Sequence, residues 1–272
     1  MTHWLVETDA FDENSSDNIV AALKDAGIPF KRFSLEDYYE KRYNHFPKGE
    51  SVYFYGSVQV AKEISERALW SPGMIGDFRH YKCSRFYPEY GDLMLSAEHV
   101  FMPFGELERQ WNFLCRLFEN DCLFLRPDGA DKGFAGQVVT DFQRFFEKEY
   151  PYLSEFNDIS TMCLVSSAFN IGAEYRLVIS DGKFVTGSRY RLNNSVSRSP
   201  EVPLNVQEFG EKLAAIYQPD PIFIVDVCTS NDNLYCLEIN PISSAGLYLI
   251  DPAKYVAAIN ESIARHFPRL AV

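Results

Sequence analysis

No segment of the 272 residues approaches the roughly 18 consecutive apolar residues that a membrane-spanning helix needs. The opening Met1-Thr2-His3-Trp4-Leu5-Val6-Glu7 lacks the basic start and the small-residue cleavage pattern of a secretory signal. Cysteine is sparse. None of Cys83, Cys115, Cys122, Cys163, Cys228 and Cys236 stands in a C-x-x-C pair, so reduced, buried thiols of a cytoplasmic protein are expected rather than a disulfide scaffold. Five histidines without an H-E-x-x-H give no zinc signature. Neither G-x-x-x-x-G-K-[ST] nor G-x-G-x-x-G occurs, and no repeat or low-complexity tract is present. A basic arm is also missing. The formal charge is −12, and residues 1–100 already hold 11 basic against 16 acidic side chains, so the acidity runs along the whole chain. That argues against nucleic acid as a partner, while leaving room for a nucleotide in a local basic pocket.

What is present suffices for a large core: 46% hydrophobic residues, with 22 Phe, 16 Tyr and 3 Trp. The first stretch alternates strand and helix. Trp4–Thr8 reads as a strand, Ser16 as the cap of a helix bearing Ile19, Val20 and Leu23, and Gly27 as its stop. Ile28–Phe33 and Ser51–Tyr55 read as further strands, and Ser57 starts a helix with Val60, Ala61 and Ile64 on one face. Pro72, Gly73, Pro88 and Gly91 punctuate 71–95, where a domain junction is expected. The expectation is therefore an α/β (α+β) protein with a small domain over 1–95 and a second over 96–272. In the second part Leu107, Trp111, Leu114 and Phe118 share a helix face, and Cys122–Arg126 is a strand entering a glycine-rich loop. Thr140 with Gln143, and Asn205 with Glu208, read as helix caps. Strands are expected at 161–166, 174–180, 183–191, 222–228 and 234–240. Asp251-Pro252 opens a C-terminal helix, and Asn193–Pro203 is the most loop-like stretch.

Three constellations carry chemistry. In the last hairpin Phe223, Val225 and Val227, with Tyr235, Leu237 and Ile239, alternate toward a core, so Asp226, Glu238 and Asn240 occupy the other face. A turn centred on Asp232 sets Asp226 opposite Glu238. Two carboxylates and an amide oxygen suit Mg2+, and the alternative is a solvated polar face. In Glu174–Arg191 the Asp181-Gly182 turn sets Glu174 opposite Arg189 and Arg176 opposite Gly187, with Tyr175, Leu177, Ile179, Phe184 and Tyr190 on the core face. Glu174 pairs with one arginine, and the surplus among Arg176, Arg189 and Arg191 suits phosphate or carboxylate. Finally, Arg126 ends a strand before a loop holding Gly129, Lys132, Gly133 and Gly136. Such a loop can cradle phosphate or be an ordinary turn.

The order of these features over about 96–272, above all Asp226 followed by Leu237-Glu238-Ile239-Asn240-Pro241, resembles the ATP-grasp superfamily. Arg126 in place of the usual strand-end lysine resembles its arginine-bearing clade. Glu174-Tyr175-Arg176, Gly187-Ser188-Arg189-Tyr190 and Ser243-Ser244-Ala245-Gly246-Leu247-Tyr248 do so as well. The resemblance implies an ATP-grasp fold behind a small α/β domain, with ATP and Mg2+ as cofactors. It implies Arg126 and Lys132 on phosphates, and Leu164, Val165 and Ser166 beside the adenine through backbone hydrogen bonds. Glu174 would take the ribose, and Asp226, Glu238 and Asn240 the Mg2+. Arg176, Arg189 and Arg191 would hold the γ-phosphate or the acceptor carboxylate as the catalytic set. A second ATP-binding lysine has only Lys82 as a counterpart. The activity implied is carboxylate–amine or carboxylate–thiol ligation through an acyl phosphate, on an amino acid or a peptide. A kinase or a nucleotide-dependent assembly protein is the alternative. The partners implied are ATP and a carboxylate-bearing acceptor, with no nucleic acid and no membrane.

Overall fold

The computed structural model describes residues 2–11, 14–42, 46–129, 133–155 and 157–267. Strands β1 (His3–Glu7), β2 (Phe30–Phe33), β3 (Ser51–Tyr55) and β4 (Ser71–Gly73) form a first sheet in the order β2-β1-β3-β4, all parallel. Helices α1 (Ser15–Asp25), α2 (Leu35–Tyr39) and α3 (Val58–Arg67) connect them. Gly27 ends α1 at φ +64, a conformation that glycine adopts without penalty. Ser57 caps α3 through a bond from the Val60 N–H. Ser16 does not cap α1. The helix starts at Ser15 after Asn14, and the Ser16 hydroxyl instead donates to the Glu7 carbonyl at the end of β1.

The junction expected at 71–95 folds into β4, a short 3-10 turn and helix α4 (Cys83–Tyr90). The second sheet is antiparallel in the order β5-β8-β6-β7, built from β5 (His99–Pro103), β6 (Leu123–Pro127), β7 (Gln137–Val139) and β8 (Met162–Ser167). Helix α5 (Leu107–Leu117) covers it, buried through Leu107, Trp111 and Leu114. The helical stretch over 142–154 is broken into α6 (Phe142–Arg144), a π turn and α7 (Tyr150–Ser154). Its cap is Asp141, which accepts from the Arg144 N–H, not the expected Thr140–Gln143 box. Gln143 bonds Glu147 one turn on instead.

The third sheet is antiparallel in the order β11-β10-β9-β12-β13. It comprises β9 (Ala173–Ser180), β10 (Lys183–Leu192), β11 (Ser195–Ser199), β12 (Ile222–Ser230) and β13 (Asn233–Pro241). The stretch expected as a loop at Asn193–Pro203 therefore contains a strand. Asn193 and Asn194 both take positive φ, forming the two-residue turn that folds β11 back on β10. Helix α8 (Leu204–Ile216) begins after Pro203 with no side-chain cap, so Asn205 and Glu208 lie within the helix and do not close it. Helix α9 (Pro252–His266) is capped by Asp251, as expected.

One face of the third sheet shares a core with the first sheet and α9. Trp4, Tyr53 and Tyr55 pack there with Val178, Ile224, Tyr255 and Ile259. The other face packs Leu177, Ile179, Phe223 and Val225 against Val206 and Leu213 of α8 and Phe86 of α4. A separate core lies under the second sheet. This arrangement leaves residues of the second and third sheets lining one cleft between them.

Candidate active site

The site is assembled on the third sheet by backbone irregularities. In the β12–β13 hairpin, Asn231 and Asp232 both take positive φ and form the turn. From there Val227 faces Cys236, but Asp226 faces Glu238, because Leu237 is an extra residue in β13. The expected Asp226–Glu238 pairing holds. The expected inward set holds for Phe223, Val225, Val227 and Ile239, which are buried in the core, but Cys236 is buried in place of the expected Tyr235, Tyr235 is only half-buried and Leu237 lines the cleft.

The β9–β10 hairpin slips twice, between Phe184 and Thr186 and between Arg189 and Arg191. The slips overturn the expected register. Arg176 faces Ser188, Arg189 faces Tyr175, and Arg191 faces Glu174. Arg189 thus turns to β11 and donates to the Ser197 carbonyl and hydroxyl at 3.3 Å each. It is not among the residues lining the cleft. Tyr190, expected in the core, is the extra residue and lies on the cleft side, where its ring stacks on Tyr248 at 4.7 Å.

Arg176 is the hub. It is buried, donates to both oxygens of Asp226 (2.9 and 2.7 Å) and to the Gly246 carbonyl (3.0 Å), and sits beside the Tyr248 ring at 4.9 Å. From β6, Arg126 reaches across the cleft to Glu238 (2.9 Å) and to the Leu237 carbonyl (3.3 Å). The Asn240 amide donates to Glu238 (2.9 Å) and Asp226 (3.3 Å). Each of the two carboxylates is therefore paired with a guanidinium. Burial nevertheless pushes the Asp226 carboxyl up to about 6. Arg176 pulls it down, and the neighbouring Glu238 adds to the rise. Glu174 is buried and lies 4.0 Å from the exposed Arg191 guanidinium.

A cavity of about 1020 Å3 fills the cleft. Its charged end holds Arg126, Arg176, Asp226 and Glu238, and its apolar end holds Phe124, Phe134, Val138, Phe169 and Ile171. Leu164, Val165 and Ser166 do not line it. They lie in β8, whose two edges are hydrogen-bonded to β5 and β6, so their backbone groups are consumed by the ladder. The segment that lines the cavity is the connection just beyond, Ala168–Ile171. Lys82 is exposed at the start of α4, away from the lining. Lys132 lies outside the described residues. A second cavity of about 440 Å3 adjoins the first. The two share Arg176, Tyr190, Arg191 and Tyr248, and the second extends to Ala10, Phe11 and Ser15 at the C-terminal end of β1. Tyr248 holds φ +54, a strained conformation for an aromatic residue and one typical of functional positions.

Among the described residues no three His, Cys, Asp or Glu side chains converge as a metal centre. The donor set that does fit a hard cation is two carboxylates and one amide oxygen, from Asp226, Glu238 and Asn240.

Among curated proteins none matches the sequence. Solved structures share the fold. A D-cycloserine synthetase, DcsG, superposes with a TM-score of 0.66 at 14% identity, over 95% of this chain and 99% of that one. A D-alanine–D-alanine ligase from Bacillus anthracis gives 0.64 at 14%, over 97% and 98%. The ATP-grasp ligase PsnB, complexed with a phosphomimetic variant of its minimal precursor, Mg and ADP, gives 0.57 at 12%, over 96% and 98%. Residues 58–259 match a family described as an ATP-grasp domain, family 3 of its clade. The match spans most of the chain and takes in Arg126, Arg176 and the Asp226–Glu238–Asn240 face, so this protein belongs to the ATP-grasp family.

Proposed function

We propose that the protein is an ATP- and Mg2+-dependent ligase that joins a carboxylate to an amine or thiol through an acyl phosphate. The observation that carries this reading is the contact between the two cavities. They meet at Arg176, Tyr190, Arg191 and Tyr248, with Asp226 lining the larger and Asn240 the smaller. ATP is assigned to the larger cavity, its base against Phe124 and the Ala168–Ile171 connection, its ribose toward Glu174 and its phosphates toward Arg126 and Arg176. The smaller cavity is assigned to the acceptor. The acceptor carboxylate attacks the γ-phosphorus, ADP leaves, and the nucleophile then displaces phosphate from the acyl phosphate. Arg176 and Arg191 would hold the negative charge that gathers on the transferring group. Mg2+, when bound by Asp226, Glu238 and Asn240, supplies neutralisation of the phosphate oxygens. PsnB, a ligase crystallised with Mg and ADP, supports the cofactor assignment by analogy of fold.

Thermal shift tests the nucleotide part. A ligand that binds only the native state raises the melting temperature, so ATP with Mg2+ should give a clear rise. Glu238→Gln should lose most of the Mg2+-dependent part of it, and an equal shift in the variant would remove the metal assignment. Product analysis tests the reaction. A ligase releases free phosphate with a new amide or thioester, whereas a kinase leaves a phosphorylated acceptor.

A further inference from the structure

The arginines of β10 and β11 are unusual for this chain. Lys183–Pro200 holds four basic residues and no acidic one, inside a protein of net charge −12. This basic hairpin borders the smaller cavity, to which it contributes Arg191, Val196 and Arg198. Among the described residues that line that cavity, three are arginines and none is acidic. The Ser244 hydroxyl also belongs to the lining and is buried without a hydrogen-bond partner. A carboxylate entering here would meet positive charge and an unused donor.

β11 is the terminal strand of its sheet, and Ser195, Val196 and Arg198 are exposed. Residues flanking a two-residue turn exchange both ladder bonds, so the next residue, Val196, turns its N–H and C=O away from β10. No proline or lysine lies within Ser195–Ser199 to blunt that edge. Arg189 ties Ser197 back to β10 from the inner side, which fixes the strand in place.

We infer that the acceptor is an acidic peptide in extended conformation, which adds to the third sheet as a strand along β11 and turns one carboxylate side chain into the smaller cavity. The inference rests on the ligase reading above and names its substrate class. Main-chain bonds to the edge supply affinity for any extended chain, and the basic cavity beside Val196 and Arg198 selects acidic side chains at alternate positions. The excess negative charge elsewhere on the protein repels such a peptide and steers it to this hairpin.

The test uses the intact protein without nucleotide and a fluorescein-labelled peptide alternating Glu and Val over about ten residues, a typical strand length with overhang. It should bind at least about tenfold more tightly than a Lys–Val or a Glu–Pro counterpart, a difference of about 1.4 kcal/mol. The affinity should fall with added salt. Amide exchange within Ser195–Ser199 should slow on binding. Val196→Pro should weaken binding about tenfold. Arg198→Glu, which leaves the backbone unchanged, should do the same and flatten the salt dependence. Equal binding of the Glu–Pro peptide, or unchanged exchange at Ser195–Ser199, would overturn strand addition. Full displacement of the peptide by free glutamate would assign the cavity to a single amino acid instead and overturn it too. The ATP–Mg2+ thermal shift on the same preparations separates the two readings: peptide binding without that shift keeps the docking edge and removes the ligase, and the shift without peptide binding does the reverse.

Discussion

Arg176→Met is the most informative single change. Methionine keeps much of the side-chain stem beside the stacked Tyr190 and Tyr248 rings but removes both bonds to Asp226, whose side chain is 1% exposed. Removing one partner of a buried pair costs about 3–5 kcal/mol, because the other charge stays behind unpaired. Here the cost falls near the low end, about 3 kcal/mol at pH 8, because Asp226 can escape by taking up a proton. Its pKa is already pushed up to about 6 with Arg176 in place, and it rises further without it. At roughly 2–4 °C per kcal/mol, the melting temperature should drop by roughly 6–12 °C. The sign of the pH dependence follows. A carboxyl whose folded pKa is raised above its unfolded value keeps its stability contribution at low pH and loses it as pH climbs through the folded pKa. The deficit should therefore shrink at pH 5.5 and grow at pH 8. Arg176→Met with Asp226→Asn should recover more than half of the loss at pH 8, since no charge is then left buried. Calorimetry of the wild type, both single variants and the double variant at the two pH values completes the cycle. A deficit equal at both pH values, or a double variant no better than Arg176→Met, would refute the account of Arg176 as the counter-charge of Asp226.

Other outcomes follow from the same geometry. Asp128 accepts from the Ser84 N–H (2.6 Å) and hydroxyl (2.9 Å), so it caps α4 from a distant strand end. Asp128→Ala should cost about 1–2 kcal/mol in urea unfolding, the range of a lost helix cap. Burial pushes Asp220 up to about 6 although the Tyr81 hydroxyl donates to it at 2.7 Å. Its stability contribution is present below pH 4 and lost as pH rises through about 6. Asp220→Asn should then raise the melting temperature at pH 8 and leave it unchanged at pH 4. A greater rise at pH 4 would reverse the sign and refute the assignment.

Much of the scaffold is legible in the sequence because it rests on alternation and caps. Asp226, Glu238 and Asn240 stand out as polar residues on an apolar ladder, and Ser57, Gly27 and Asp251 mark helix ends in the way their chemistry dictates. What escaped lies in register, pairing and backbone conformation, which composition does not record. A bulge adds a residue without changing composition, so the two slips in β10 moved Arg189 away from Glu174 and brought Tyr190 out of the core. Likewise, the apolar run of β8 says that it is buried but not that both its edges are paired. The cavity-lining role of Ala168–Ile171 became visible only from the topology. The Tyr190–Tyr248 stack depends on a positive φ at Tyr248, for which a tyrosine gives no advance sign.

The extra residue in β13 has a further consequence. Because Leu237 stands outside the ladder, its carbonyl is free to accept from Arg126 across the cleft, and its side chain joins the cavity wall. Substitutions at 237 can change that wall but never the carbonyl. Deleting Leu237 would instead give an unbroken ladder in which Glu238 still meets Asp226 and Asn240 still lies two residues on. The carboxylate face and the second anchor of Arg126 are thus written in different alphabets, one in side chains and one in residue count. A lineage could lose the anchor in a single codon deletion while every acidic residue stayed in place. Among relatives, the spacing between the turn and the Glu-x-Asn would therefore report on the grip between the second and third sheets, independently of which residues fill it.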